Sequence, residues 1–137
     1  MKTRIKWVEQ KAFLAESGSG HAVLMDGAPD AGGRNMGPRP MEMLLMGLGG
    51  CASFDVVFIL ERGRKTVEDV ECEITAERAD TDPKVFTGIH LHFKVKGAEL
   101  SEDVVGRAIE LSAEKYCSAS IMLGKSAKLT HSFEMVS

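Results

Sequence analysis

Three cysteines carry most of the reactive chemistry this sequence offers: Cys51, Cys72 and Cys117. A thiolate is a strong nucleophile, and it oxidises through a sulfenic acid to a disulfide when a second thiol is near. The number is odd, and a chain of 137 residues buries enough surface to fold without a disulfide staple. In a reducing compartment such cysteines are inert core residues, metal ligands or redox-active thiols. Cys72 alternates in phase with Val70, Ile74 and Ala76, which places it on the apolar face of a strand and predicts an inert core residue. Cys51 lies in Gly49-Gly50-Cys51-Ala52-Ser53. From spacing alone it reads as a buried structural thiol as readily as a nucleophile, and the charge of Asp55, four residues on, would raise its pKa unless an arginine neutralised it. Cys117 starts a short helical stretch, where the positive end of the helix dipole favours a thiolate. Other chemistries find less support. His90 and His92 share one face of a strand with lysines, which points them to solvent. There is no CxxC or HExxH spacing, so a zinc site would have to be assembled from scattered residues. No GxSxG, GxGxxG or GxxxxGKS motif is present.

The elements that must position these thiols follow from periodicity. Lys2 to Glu9 alternates Ile5 and Trp7 with Arg4 and Lys6, predicting a strand with one wet face. Lys11 to Glu16 and His21 to Asp26 predict two more strands, joined through Ser17-Gly18-Ser19-Gly20 into an antiparallel meander. Gly27 to Pro40 reads as a loop carrying Arg34 and Arg39. Met41 to Arg64 predicts a helix led by Pro40, with Leu44, Leu45, Leu48, Cys51, Ala52, Val56, Ile59 and Leu60 at helical spacing. It is apolar nearly all round, which predicts burial on nearly every side. At 1.5 Å per residue it spans about 36 Å, more than one small domain covers, which points to a second subunit. Gly47, Gly49 and Gly50 inside it predict a close backbone approach or a bend. Val70 to Glu77 and Ile89 to Lys96 alternate with acidic and basic outer faces respectively, as in a hairpin. Ser101-Glu102-Asp103 caps a helix whose inner stripe is Val104, Val105, Ala108, Ile109, Ser112 and Tyr116. Cys117 to Leu123 continues helical to Gly124, and Lys128 to Val136 alternates as the last strand. The order predicts one α+β domain over residues 1–137 with a mainly antiparallel sheet.

Composition limits the function. Seventeen Lys+Arg against twenty Asp+Glu give a net charge of −3, which speaks against general nucleic-acid binding. No apolar run reaches the roughly 18 residues of a membrane span, and the basic N-terminus is not followed by an apolar signal core. The expected location is the cytoplasm, with no membrane or nucleic-acid partner.

The segment Pro38-Arg39-Pro40-Met41-Glu42-Met43-Leu44-Leu45-Met46-Gly47-Leu48-Gly49-Gly50-Cys51, together with Ser112-Ala113-Glu114-Lys115-Tyr116-Cys117-Ser118, resembles the OsmC/Ohr family of osmotically inducible and organic-hydroperoxide-resistance proteins. The resemblance runs over nearly the whole chain. It implies an intertwined α+β homodimer with mainly antiparallel sheets around a long central helix. It also implies a thiol peroxidase. Cys51 would attack an organic hydroperoxide and become a sulfenic acid, Cys117 would condense with it to a disulfide, and an external dithiol would reduce the bridge. Two protein thiols suffice for this chemistry, so no cofactor or metal is expected.

Two positions depart from the family pattern. Active peroxidases of the family carry a Pro-Glu pair ten residues before the cysteine, whereas here Met41 follows Pro40 and the carboxylate is Glu42, nine residues before Cys51. In one unbroken helix Glu42 would lie about 13 Å along the axis from Cys51 and on the opposite face. It joins the site only if the helix breaks at the glycines or another chain brings it close. The family also places an arginine in the N-terminal hairpin, and Ser17-Gly18-Ser19-Gly20-His21 has none; Arg34 or Arg39 would have to substitute. A second reading of the same fold is a non-enzymatic dimer that binds lipophilic molecules, with Met41, Met43, Met46 and Met122 lining an adaptable pocket.

Overall fold

The computed structural model describes residues 1–137 as two compact units, Met1–Met46 and Gly47–Ser137. In the first, β1 (Thr3–Glu9), β2 (Ala12–Ser17) and β3 (Ala22–Met25) form the expected antiparallel meander in the order β1-β2-β3. The Ser17 amide closes the turn on the His21 carbonyl at 2.8 Å, and Gly20 supplies a φ of 93° there. β1 departs from the expectation of one wet face. Every residue in it is exposed, including Ile5, Trp7 and Val8, so the chain covers neither side of this strand.

The Gly27–Pro40 segment contains a short 3-10 turn, Pro29–Ala31, and is otherwise irregular, as expected of a loop. Buried Asp26 organises it. Its carboxylate accepts hydrogen bonds from the backbone N–H of Gly27 at 2.7 Å and of Arg34 and Met36 at 3.2 Å each. Burial raises the Asp26 pKa, but these three amides and the Arg34 charge outweigh it and hold the carboxyl below its ordinary value. Gly37 packs so closely that a Cβ would run into the Leu24 carbonyl oxygen. The obstructing atoms are backbone rather than a flexible side-chain end, so Gly37→Ala is expected to cost roughly 1–3 kcal/mol, as overpacking does. A thermal melt unchanged by this substitution would contradict the packing described.

α1 (Pro40–Arg62) starts in the first unit and continues in the second. It runs unbroken past the three glycines. Gly49 alone is explained by close approach: a Cβ there would meet Ile74 Cδ1 at 2.9 Å, while Gly47 and Gly50 face open space. Within the single chain the expected burial is confined to one side. Within the second unit only Leu48, Ala52, Val56 and Leu60 are buried, one stripe at four-residue spacing, while Phe54 and Phe58 are exposed. Burying Leu48, Val56 and Leu60 contributes about 1.5–3 kcal/mol each. That outweighs the three glycines at about 1 kcal/mol each. α1 qualifies the exclusion of a membrane span: it is long and apolar enough by length and composition alone, with a mean hydropathy of 2.0 over its best window, a test that the core helix of a soluble protein also passes. Its charged residues interrupt the apolar run without much lowering the mean.

The second unit adds β4 (Asp69–Arg78) and β5 (Phe86–Lys96), paired antiparallel in the register Glu71↔Lys94 and Glu73↔His92. Lys94 Nζ lies 2.8 Å from Glu73 and 3.7 Å from Glu71, the acidic-to-basic pairing the alternation predicts. Such exposed pairs contribute less than about 1 kcal/mol each, so they help fix register rather than hold the fold. The buried face of β5, Ile89, Leu91, Phe93 and Val95, forms the core with the α1 stripe and with Val105, Ala108 and Ile109 of α2 (Glu102–Leu111). Ser101 caps α2 by accepting the Val104 N–H at 3.3 Å. A π-turn over Ser112–Tyr116 and α3 (Ser118–Leu123) lead to β6 (Lys128–Met135). β6 pairs with β5 in parallel, as a helical crossover allows and a hairpin does not. The chain is therefore α+β with three antiparallel strand pairings and one parallel.

Candidate active site

The π-turn decides where Cys117 goes. In an α-helix the residue one turn beyond Ser112 is Tyr116, but here the Cys117 N–H bonds the Ser112 carbonyl at 2.8 Å, an i to i+5 closure. The extra residue turns Tyr116 outward, to 53% exposure, and brings Cys117 inward, to 0%. The inner stripe predicted through Tyr116 is corrected accordingly. Ser112 ties the turn to α1, its hydroxyl donating to the Ala52 carbonyl at 3.2 Å, one residue from Cys51. The sulfurs of Cys51 and Cys117 and a carboxylate oxygen of Asp55 all lie within 4.8 Å of one another. Both thiols are free. A disulfide needs a sulfur separation of about 2.05 Å, so a small movement joins them.

Cys117 occupies the N-cap of α3 and accepts the Ser120 N–H at 3.3 Å, the placement that predicts a lowered thiol pKa. That expectation is corrected. Burial pushes the Cys117 thiol up, the Ser120 hydrogen bonds only partly offset it, and neighbouring Cys51 raises it further. A six-residue helix offers little dipole against complete burial. Asp55, one turn beyond Cys51 on the same face of α1, is also raised by burial, and its Oδ2 is buried without a hydrogen-bond partner. The sequence signal for Asp55 was the only acid between Glu42 and Glu61 of an apolar helix.

Burial raises the pKa of both Cys117 and Asp55, which adds to the cost of deprotonating them as metal ligands. The three donors are also one short of a closed tetrahedral zinc site. The ring nitrogens of His90 and His92 are engaged with Thr130, Ser132 and Glu134 at 2.6–3.1 Å.

Glu42 caps its own helix. Its carboxylate accepts the Arg39 N–H at 2.8 Å, half of a capping box at the start of α1. The Arg39 guanidinium donates to Asn35 Oδ1 at 2.7 Å and to the Gly37 carbonyl at 3.3 Å, and Arg34 pairs with Glu9 at 3.2 Å. Cys72 is half-buried on β4 and is not part of the thiol cluster. Burial raises its pKa, a Ser53 hydrogen bond lowers it and the Glu73 charge raises it. Cys72→Ala is expected to cost about 1 kcal/mol, as removal of a small buried group does, and to leave peroxide consumption unchanged. Lost turnover in a folded Cys72→Ala protein would contradict this.

A cavity of about 460 Å³ opens beside the cluster, lined by Asp55, Phe58, Ile59, Arg62, Leu111 and Tyr116. No methionine lines it; Met46 and Met122 are exposed.

Residues 32–132 match the family described as OsmC-like protein. The chain is 52% identical to protein YhfA of Escherichia coli (strain K12) over 136 residues, 99% of this chain and 98% of that one. It is also similar to the solved OsmC-like protein of Mycoplasma pneumoniae, with a TM-score of 0.84 at 18% identity over 99% of this chain and 96% of that one. The organic hydroperoxide resistance protein OsmC of Legionella pneumophila gives a TM-score of 0.75 at 17% identity over 98% and 97%. Fold, matched residues and overall identity agree with the cysteine contexts, and the chain belongs to the OsmC-like family.

Proposed function

We propose that this chain is a cytoplasmic thiol peroxidase that reduces organic hydroperoxides as a homodimer. The observation that carries the reading is the meeting of Cys51 and Cys117, 66 positions apart in sequence, with their sulfurs within 4.8 Å. The Cys51 thiolate attacks the terminal oxygen of the hydroperoxide, the O–O bond breaks, and the alkoxide takes a proton to leave as the alcohol. Cys51 is then a sulfenic acid. Cys117 attacks its sulfur, a disulfide forms and water leaves. An external dithiol restores both thiols by exchange and is itself oxidised to a disulfide. With α1 unbroken, Glu42 would contribute only through a partner protomer. A cavity walled by Phe58, Ile59 and Leu111 suits the alkyl part of the substrate.

The same cavity favours a second reading, a dimer that binds lipophilic molecules without turnover. Thiol counting separates them. After cumene hydroperoxide, the peroxidase loses two of its three thiols per chain, and a binding protein loses none.

A further inference from the structure

We propose that Asp55 is the proton acceptor for Cys117 when the Cys51–Cys117 disulfide closes. Cys117 is wholly buried, and burial favours its thiol over the thiolate that must attack. It therefore needs a base at hand. Asp55 is the carboxyl that lies within 4.8 Å of both sulfurs, a reach one water spans. Its Oδ2 is buried with no hydrogen-bond partner, an acceptor the folded chain leaves unused. Burial also raises its carboxyl above the ordinary carboxylate value, which makes the carboxylate a stronger base.

The charged and titratable groups around Asp55 leave this role to it. From α1, Cys51 and Arg62 face it. Arg62 shares the cavity but forms no ion pair with Asp55, and its guanidinium stands 5.7 Å over the Phe58 ring. From the π-turn, Cys117 and Tyr116 face it, while Glu114 and Lys115 are exposed and line no part of this cavity. The step balances. As the Cys117 sulfur bonds to the Cys51 sulfur of the sulfenic acid, the Cys117 proton passes to the Asp55 carboxylate. The carboxylic acid returns it to the departing hydroxide, which leaves as water.

The inference rests on the dithiol reading but not on peroxide turnover, so its test omits peroxide. The reduced protein is mixed with 5,5′-dithiobis(2-nitrobenzoate), which forms a mixed disulfide on Cys51. Closure by Cys117 then releases a further thionitrobenzoate at a rate independent of reagent concentration, which separates it from the bimolecular labelling of half-buried Cys72, and is followed by stopped-flow absorbance. Wild-type closure should level off with pH below the thiol range, as Asp55 ionises. Asp55→Asn should slow closure about 10²-fold at pH 7, the usual contribution of a positioned base. Its rate should then rise tenfold per pH unit, and the gap should narrow as Cys117 ionises unaided. Wild-type closure rising tenfold per unit throughout would overturn the proposal, and this needs no variant to fold. So would an Asp55→Asn rate equal to or above wild type, which would make Asp55 only a repelling charge. Failure of the peroxidase reading alone would appear as normal closure here with no thiol loss to hydroperoxide.

Discussion

Cys51→Ser is expected to abolish oxidation by cumene hydroperoxide, whereas Cys117→Ser should consume about one equivalent per chain and stop as a sulfenic acid. The asymmetry follows from the two environments. Cys117 is sealed at 0% exposure and is held protonated by burial, so it suits a resolving thiol that reacts only with a sulfur already beside it. Cys51 is half-buried and can meet a substrate. An apolar cavity contributes binding energy only to the alkyl part of a hydroperoxide, so bulky organic substrates should react faster than hydrogen peroxide. Stopped-flow oxidation with a sulfenic-acid trap reads all of this. Equal inertness of the two variants, or a reactive Cys51→Ser protein, would contradict the assignment of roles.

Phe54→Glu should turn the proposed homodimer into a monomer at micromolar concentration. Phe54 and Phe58 stack at 6.2 Å on the open side of α1, 69% and 47% exposed in the single chain. Soluble monomers rarely leave contiguous apolar patches of more than a few hundred Å² uncovered. In a two-fold dimer each substitution occurs twice. A buried carboxylate without a partner costs at least about 2 kcal/mol. Two of them amount to about 4 kcal/mol, roughly three orders of magnitude in Kd. Sedimentation velocity distinguishes the states, and a wild-type chain that sediments as a monomer at micromolar concentration would remove the dimer.

The features that proved legible in the sequence are those whose cause is local. Ser101 caps α2 because its side chain reaches an amide three residues on. The β4–β5 register follows from acids on one outer face and cations on the other. What escaped depends on contacts between distant segments. A π-turn changes which residue faces inward by a single hydrogen bond, and no side-chain pattern distinguishes Tyr116 from Cys117 as the buried one until Ser112 is seen fixed to α1. The parallel pairing of β6 is set by the crossover, since an alternating strand reads the same in either direction. Asp55 was visible as a charge near Cys51, but its role at the thiol pair depends on burial, which pushes its carboxyl up and leaves Oδ2 without a partner. Glu42 stood out as a displaced family carboxylate, and its observed bond is the local one to Arg39.

The most direct measurement is a non-reducing tryptic map of the wild-type protein after one equivalent of cumene hydroperoxide. The predicted product is the Cys51 peptide joined to Tyr116–Lys125 by a disulfide that lacks two hydrogens relative to the separate peptides, with Cys72 recovered as a free thiol. Recovery of all three thiols, or a bridge that includes Cys72, would contradict a Cys51–Cys117 peroxidase.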